Sequence, residues 1–456
     1  MADIVAEAEQ SPTTEPVGAR MTGSSRQGTG ISLSHGCPWH ASGRIIGHYL
    51  PEGTTMMQRV RVMGWLGLVL SLLAWPAFAA GPADHAALAP TPPMGWNSWN
   101  HFGADVTDAD IRHAADELVS SGMAAAGYRY VIIDDGWQGQ RDAQGELHSN
   151  TKFPDMKSLA DYVHGKGLKF GIYSSPGEKT CGGYTGSLGH EAQDARLFAS
   201  WGVDYLKYDL CSFRRHLDGK TEAEQTAMMK AAYRLMRQQL DATGRPIVYA
   251  LCNYGWGRVW EWGAEVGGNL WRTTDDIRAN YESMMFNANA QLGLQRYAGP
   301  GHWNDADMLE IGNKGLDEPE TQRTHLTLWA MLAAPLIAGN DLSAMSADTR
   351  DVLTDKEVLA IDQDPRGAPG NRVMQEGPIQ LWARPLADGT LAVALVNTLN
   401  HSLNATLDFK ALGLTGSVQA HDVWQHRDLG RIDQQHVFEV PSLGVVLLKI
   451  GKPQAH

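Results

Sequence analysis

The sequence predicts an α/β protein, a (β/α)8 barrel followed by a small antiparallel β-sandwich. Three observations carry that expectation. Eight short apolar runs alternate with amphipathic segments between residues 90 and 365, as in a closed parallel sheet wrapped by helices. Several of those runs stop on charged residues, which suits a barrel rim where strand ends converge on one cleft. After Asp364-Pro-Arg-Gly367 the helical patterns give way to short runs separated by turn residues. An open doubly wound sheet is the rival. No G-x-G-x-x-G follows the first run, so a dinucleotide-binding fold lacks support.

The predicted barrel spans residues 85–365, with strands at 94–98, 130–135, 169–173, 204–209, 247–252, 269–273, 302–305 and 336–339. Between most of them the apolar spacing predicts helices at 107–126, 157–164, 191–200, 222–240, 280–292 and 318–332. The first is capped by Thr107, with Ile111, Ala115 and Leu118 on one face. The predicted sandwich covers 366–456, with strands at 379–383, 390–397, 405–409 and 445–450 and a hairpin turn at Ala387-Asp-Gly389.

Residues 57–80 have the layout of an export signal: Arg59 and Arg61, a short apolar core from Trp65 to Trp75, then the small-x-small site Ala77-Phe-Ala79. The core is too short to span a bilayer. We therefore expect an exported protein, with no membrane partner once the signal is removed. Translation would start at Met56 or Met57, and residues 1–56 read as a disordered leader or a product of start-site choice. Of the four cysteines, Cys37 falls in that leader. Cys181, Cys211 and Cys252 remain, for which one disulfide and one buried thiol is the simplest accounting in an oxidising compartment.

The chain carries a net charge of -13, which argues against nucleic acid or an anionic membrane as partner. Trp (15) outnumbers Tyr (13) and Phe (9), and its flat face with one N–H donor is useful for gripping sugars.

The most informative stretch is Trp201-Gly-Val-Asp-Tyr-Leu-Lys-Tyr-Asp-Leu-Cys211. Read as a strand, it points Val203, Tyr205, Lys207, Asp209 and Cys211 to one face. Lys207 is then expected to hold the Asp209 pKa down, leaving an ionised carboxylate at a strand mouth, as a covalent nucleophile requires. Two carboxylates flanking a sugar are the minimal machinery of a glycosidase. Asp275 and Asp276, just past a strand, offer the second, although such a pair also suits a helix cap. Asp134 and Asp135 could accept hydrogen bonds from sugar hydroxyls, and Arg272 adds a cation at a further strand end. His302-Trp-Asn-Asp-Ala-Asp-Met308 lacks a second histidine at ligand spacing, so no metal or cofactor is expected.

Five motifs carry a resemblance. Thr91-Pro-Pro-Met-Gly-Trp-Asn-Ser-Trp99, Ile133-Asp-Asp-Gly-Trp137, Lys179-Thr-Cys-Gly-Gly-Tyr-Thr-Gly-Ser-Leu-Gly-His190, Lys207-Tyr-Asp-Leu-Cys211 and Gly299-Pro-Gly-His-Trp-Asn-Asp-Ala-Asp-Met-Leu309 occur in the order found in the α-galactosidases of glycoside hydrolase family 27, which this chain resembles. The resemblance implies a retaining exo-α-galactosidase acting on galactose-containing saccharides, with Asp209 as nucleophile and Asp276 as acid/base. It implies Trp99 as a stacking wall and Asp134, Asp135, Tyr173, Lys207 and Arg272 around the sugar, with Asp307 supporting the floor. Asn253 and Trp256, from the loop that faces the sugar in the family, complete the candidate set. The resemblance also implies a Cys181–Cys211 disulfide, leaving Cys252 free.

The sequence departs from the family pattern in four ways: Asn253 stands where many members carry Glu or Gln, Cys252 has no cysteine near Gly268 as its partner, Ala306 replaces a usual Pro, and Tyr173 is followed by Ser-Ser-Pro. Related specificities, α-N-acetylgalactosaminidase and β-L-arabinopyranosidase, stay open at this point, as do an inactive galactose-binding protein and a homo-oligomer.

Overall fold

A computed structural model describes residues 85–451. The expected leader, signal and Cys37 lie outside the described residues. Eight parallel strands form one sheet, in the order β10-β1-β2-β5-β6-β7-β8-β9. They are β1 (Met94–Asn97), β2 (Tyr130–Ile132), β5 (Lys169–Ser174), β6 (Tyr205–Asp209), β7 (Val248–Cys252), β8 (Leu270–Arg272), β9 (Trp303–Asp305) and β10 (Leu336–Ala338). A parallel bridge from Leu309, just past β9, to Ala338 of β10 closes the circle. The barrel is closed.

Each predicted strand is present, and all but β5, which runs one residue further to Ser174, are shorter than expected. The loop after β2 adds a small hairpin, β3 (Gln138–Arg141) with β4 (Leu147–Ser149).

Inside the barrel, Tyr130, Ile132, Tyr205, Val248, Ala250, Leu270, Trp303 and Ile337 form one apolar cluster. A larger outer layer packs helix faces against the sheet, including Ile111, Ala115 and Leu118 from the first helix. That helix is Asp108–Ser120, with Thr107 and Asp110 forming a reciprocal capping box. The expected single helix over 107–126 breaks at Gly122, whose φ of 88° is left-handed, and a short turn of helix restarts at Met123–Ala126. Helix Glu222–Ala242 is closed by the same device, Thr221 with Glu224. Helix Tyr281–Ala290 is capped by the Asn280 side chain, so Asp275 and Asp276 are not its cap.

The strand reading of 203–211 needs correction at both ends. Val203 precedes β6 and joins the outer layer, whereas Tyr205 points into the barrel cluster. Beyond Asp209 the chain turns into a short 3-10 segment, Cys211–Phe213. Cys211 adopts a left-handed φ of 36°. It reaches the site through that turn rather than by strand alternation.

After helices Ala347–Leu353 and Lys356–Asp362 comes an antiparallel domain. Its main sheet runs β11-β12-β13-β18-β15-β16, built from Asn371–Glu376, Ile379–Pro385, Leu391–Asn397, Val445–Ile450, Val418–Asp422 and Arg427–Ile432 in that order. A second pair, β14 (Leu403–Thr406) with β17 (Val437–Val440), covers a core of Leu381, Val393, Leu395, Phe409, Phe438 and Leu448. The Ala387–Gly389 turn is a hairpin, with Leu386 N–H donating to the Thr390 carbonyl. Strand 405–409 as predicted stops at Thr406, and Phe409 belongs to the following turn.

Candidate active site

Strand register brings the polar residues together. Tyr173 of β5 pairs with Lys207 of β6, Asp209 with Cys252 of β7, and Arg272 of β8 with Asp305 of β9. All lie at the C-terminal ends of their strands, where a barrel keeps its chemistry.

Asp209 is buried and hydrogen-bonded on both oxygens. Tyr173 Oη donates to Oδ2 at 3.0 Å, and Tyr254 Oη donates to Oδ1 at 2.8 Å. Burial pushes its pKa up, while the Lys207 ammonium and the two phenols pull it back. The expected depression by Lys207 is therefore overturned, because desolvation is the larger effect. Lys207 itself donates to Asp134 Oδ2 at 2.8 Å and lies over the Tyr173 ring.

Asp134 also accepts from Asn97 Nδ2 at 2.7 Å, and its other oxygen receives the Asp135 N–H. Asp135 accepts the Gly182 N–H at 2.6 Å, while its Oδ1 is buried without a partner. Burial lifts its pKa to about 6. These two carboxylates differ in kind: one is anchored by a cation, the other by a backbone amide.

Arg272 holds the opposite wall. It pairs with Asp307 at 2.9 Å, pairs with Asp276 at 3.1 Å, and donates to the Thr274 carbonyl. Asp276, its side chain 71% exposed, stands at the mouth. Asp307 carries a left-handed φ of 81° and accepts the Ile277 N–H at 2.7 Å, which ties the loop bearing Asp276 to the barrel.

The mouth divides into two clefts that share Asp276. One, about 540 Å³, is lined by Trp99, Lys207, Arg272 and Asp307. The other, about 900 Å³, is lined by Cys211, Tyr254, Asp275 and several cations. Trp99 is 37% exposed and presents ring surface to the smaller cleft, whereas Trp256, 39% exposed, lines neither cleft and stacks against Arg214.

Asn253 sits differently. It is fully buried, its Nδ2 donates to the Trp256 carbonyl, and it lines neither of these clefts. It shapes the loop from behind.

Cys181 and Cys211 form a disulfide, and Cys252 is a buried free thiol. Tyr254 is the functional residue that sequence reasoning missed. Its φ of 59°, sustained by the following Gly255 turn, swings the phenol back onto Asp209. No spacing rule signals that contact.

Residues 91–364 match the model of alpha galactosidase A, and residues 376–450 match the alpha galactosidase C-terminal beta sandwich domain. An alpha-galactosidase A from Cellvibrio japonicus is 42% identical over 419 residues, covering 87% of this chain and all of that protein. The alpha-galactosidase I structure from Mortierella vinacea superposes with a TM-score of 0.75 at 36% identity, covering 81% of this chain and 99% of that one. An alpha-galactosidase from Saccharomyces cerevisiae, solved with raffinose, gives a TM-score of 0.73 at 28% identity, covering 81% of this chain and all of that one. The chain belongs to glycoside hydrolase family 27, the α-galactosidase family.

Proposed function

We propose that this α-galactosidase removes terminal α-linked galactose by double displacement, with Asp209 as nucleophile and Asp276 as acid/base. The observation that carries the assignment is the pair of phenols on Asp209. Tyr173 and Tyr254 each occupy one carboxylate oxygen, so the buried group is aimed and kept from wandering.

In the first step an Asp209 oxygen attacks the anomeric carbon while Asp276, as the acid, protonates the glycosidic oxygen. The bond to the aglycone breaks and a β-galactosyl ester forms. In the second step Asp276, now a carboxylate, takes a proton from water. That water attacks the same carbon, the ester breaks, and galactose leaves with its α-configuration kept.

Lys207, held by Asp134, and Arg272, held by Asp307, place fixed positive charge around the site, and the Trp99 ring offers an apolar wall to the sugar. The exposure of Asp276 suits a group that must alternate between leaving group and water. Galactose-containing saccharides such as raffinose, bound by the yeast relative, are the substrate class.

The export signal at 57–80 together with the Cys181–Cys211 disulfide supports placement outside the cytoplasm. Among the described residues no helix is long and apolar enough to cross a membrane.

The test is proton NMR of the galactose anomer first formed from p-nitrophenyl α-galactoside, with Asp209→Asn alongside. α-Galactose from the parent and no turnover from the folded variant are expected. First-formed β-galactose, or a variant that turns over normally, contradicts the mechanism.

A further inference from the structure

The larger cleft has a charge opposite to that of the molecule. The chain carries a net -13, yet Lys179, Arg214, Arg215 and Arg278 line this one space. Among the described residues none of these four side chains makes an ion pair, whereas the neighbouring Arg258 and Arg272 each do. Among the described residues the only acids on its walls are Asp275 and Asp276, and Asp276 is already engaged by Arg272.

Arg214 is the best placed of the four. Its guanidinium lies 4.3 Å from the centre of the Tyr254 ring and 5.0 Å from that of Trp256, and its Nε is buried with no hydrogen-bond partner. A guanidinium fixed by stacking keeps its planar fork free for a bidentate acceptor and loses little freedom on binding one. The Tyr254 ring that it covers is the one whose hydroxyl holds Asp209.

Position also identifies which side of the substrate this cleft receives. The smaller cleft contains Lys207, Arg272 and Asp307, the walls of the galactose site. The larger one contains none of them but includes Asp276, the group that would protonate the departing oxygen. It is therefore the side on which the leaving group lies.

We propose that this cleft is a leaving-group subsite for an acidic saccharide, whose carboxylate is received by Arg214 with Arg215 and Arg278. The proposal rests on the reading of Asp209 and Asp276 as the catalytic pair. It names α-galactosides of sugar acids as preferred substrates over their neutral counterparts.

The test compares two substrates that share the galactose and the departing primary hydroxyl. One is melibionate, galactose α-linked to gluconate; the other is melibiitol, galactose α-linked to glucitol. At low salt kcat/KM for the acid should exceed that for the alditol by ~3–10-fold, the scale of one or two solvent-exposed charge contacts. High salt should bring the ratio close to one, and the double variant Arg215→Gln with Arg278→Gln, which keeps Arg214, should lower it. A low-salt ratio of one or less, or a ratio unchanged in the double variant, overturns the proposal while turnover of melibiitol leaves the galactosidase reading intact. Failure to cleave melibiitol and p-nitrophenyl α-galactoside alike would instead strike the reading on which the proposal rests.

Discussion

Asp209 illustrates how several modest effects set one group. Desolvation raises its pKa, and Lys207, Tyr254 and Tyr173 limit that rise. Removing one phenol should therefore move it further up. In Tyr254→Phe we expect kcat/KM at neutral pH to fall ~10–100-fold, the worth of a hydrogen bond to a charged group. The acid limb of the pH–rate profile should also shift to higher pH, because the nucleophile must be ionised and its protonated form now persists longer. A profile that loses height without moving would assign Tyr254 a purely structural role.

Most of the site at this scale was legible in the sequence. Lys207, Asp209 and Arg272 stand out because charge at the end of an apolar run needs an explanation, whereas the choice of Asp276 over Asp275 came from the family resemblance. Tyr254 was not legible, since its contact with Asp209 depends on a left-handed backbone and a 45-residue separation. The direction of the Asp209 pKa shift also escaped, because burial is a property of the closed pocket and the sequence shows only the neighbouring lysine.

At the scale of elements, the barrel strands were readable because each carries a buried apolar stretch bounded by turn or charged residues. Closeness between strands was not. Gly95 in β1 faces the Tyr130 backbone of β2 so tightly that an added Cβ would lie 2.5 Å from the Tyr130 carbonyl oxygen and 2.7 Å from its Cβ. Gly95→Ala should accordingly cost about 1–3 kcal/mol, the usual penalty of overpacking, read as a lower denaturant midpoint with unchanged m-value. An unchanged midpoint would mean that the two strands are not packed so closely.

The strands missed in the C-terminal domain have a physical reason. β16 buries only Ile432 of its six residues, and β15 alternates burial over a mixed polar sequence. Edge and half-solvated strands carry too little apolar signal to be seen without their partners. The β3–β4 hairpin was missed likewise, with only Gln138 and Leu147 buried.

At the scale of the molecule, the barrel and sandwich are joined by polar contacts as well as apolar ones. Arg384 of β12 is buried and donates to the carbonyls of Ala330, Asp362 and Ala368. Nearby, His421 contacts Glu357 at 2.8 Å and Asp428 at 2.6 Å, while His426 bridges Asp355 and Glu357. The Asp428 hydrogen bond, with help from Glu357, raises the His421 pKa against the opposing effect of burial. A histidine whose folded pKa lies above its unfolded value of about 6.5 stabilises the fold fully below that value. The contribution is lost as pH rises through the folded pKa. The parent should thus lose more thermal stability between about pH 6 and about pH 8.5 than His421→Gln does, measured by Tm in matched buffers. Equal losses would show that the cluster does not titrate as the ion pairs require.

The central claim is that Asp209 becomes covalently attached to galactose. Mass spectrometry of the peptide carrying residue 209, after acid quench of a slowly deacylating fluorinated galactosyl substrate, tests it most directly. The account predicts one hexosyl ester on Asp209, formed and lost at the rate of turnover; a label on another residue, or none during steady-state hydrolysis, would contradict it.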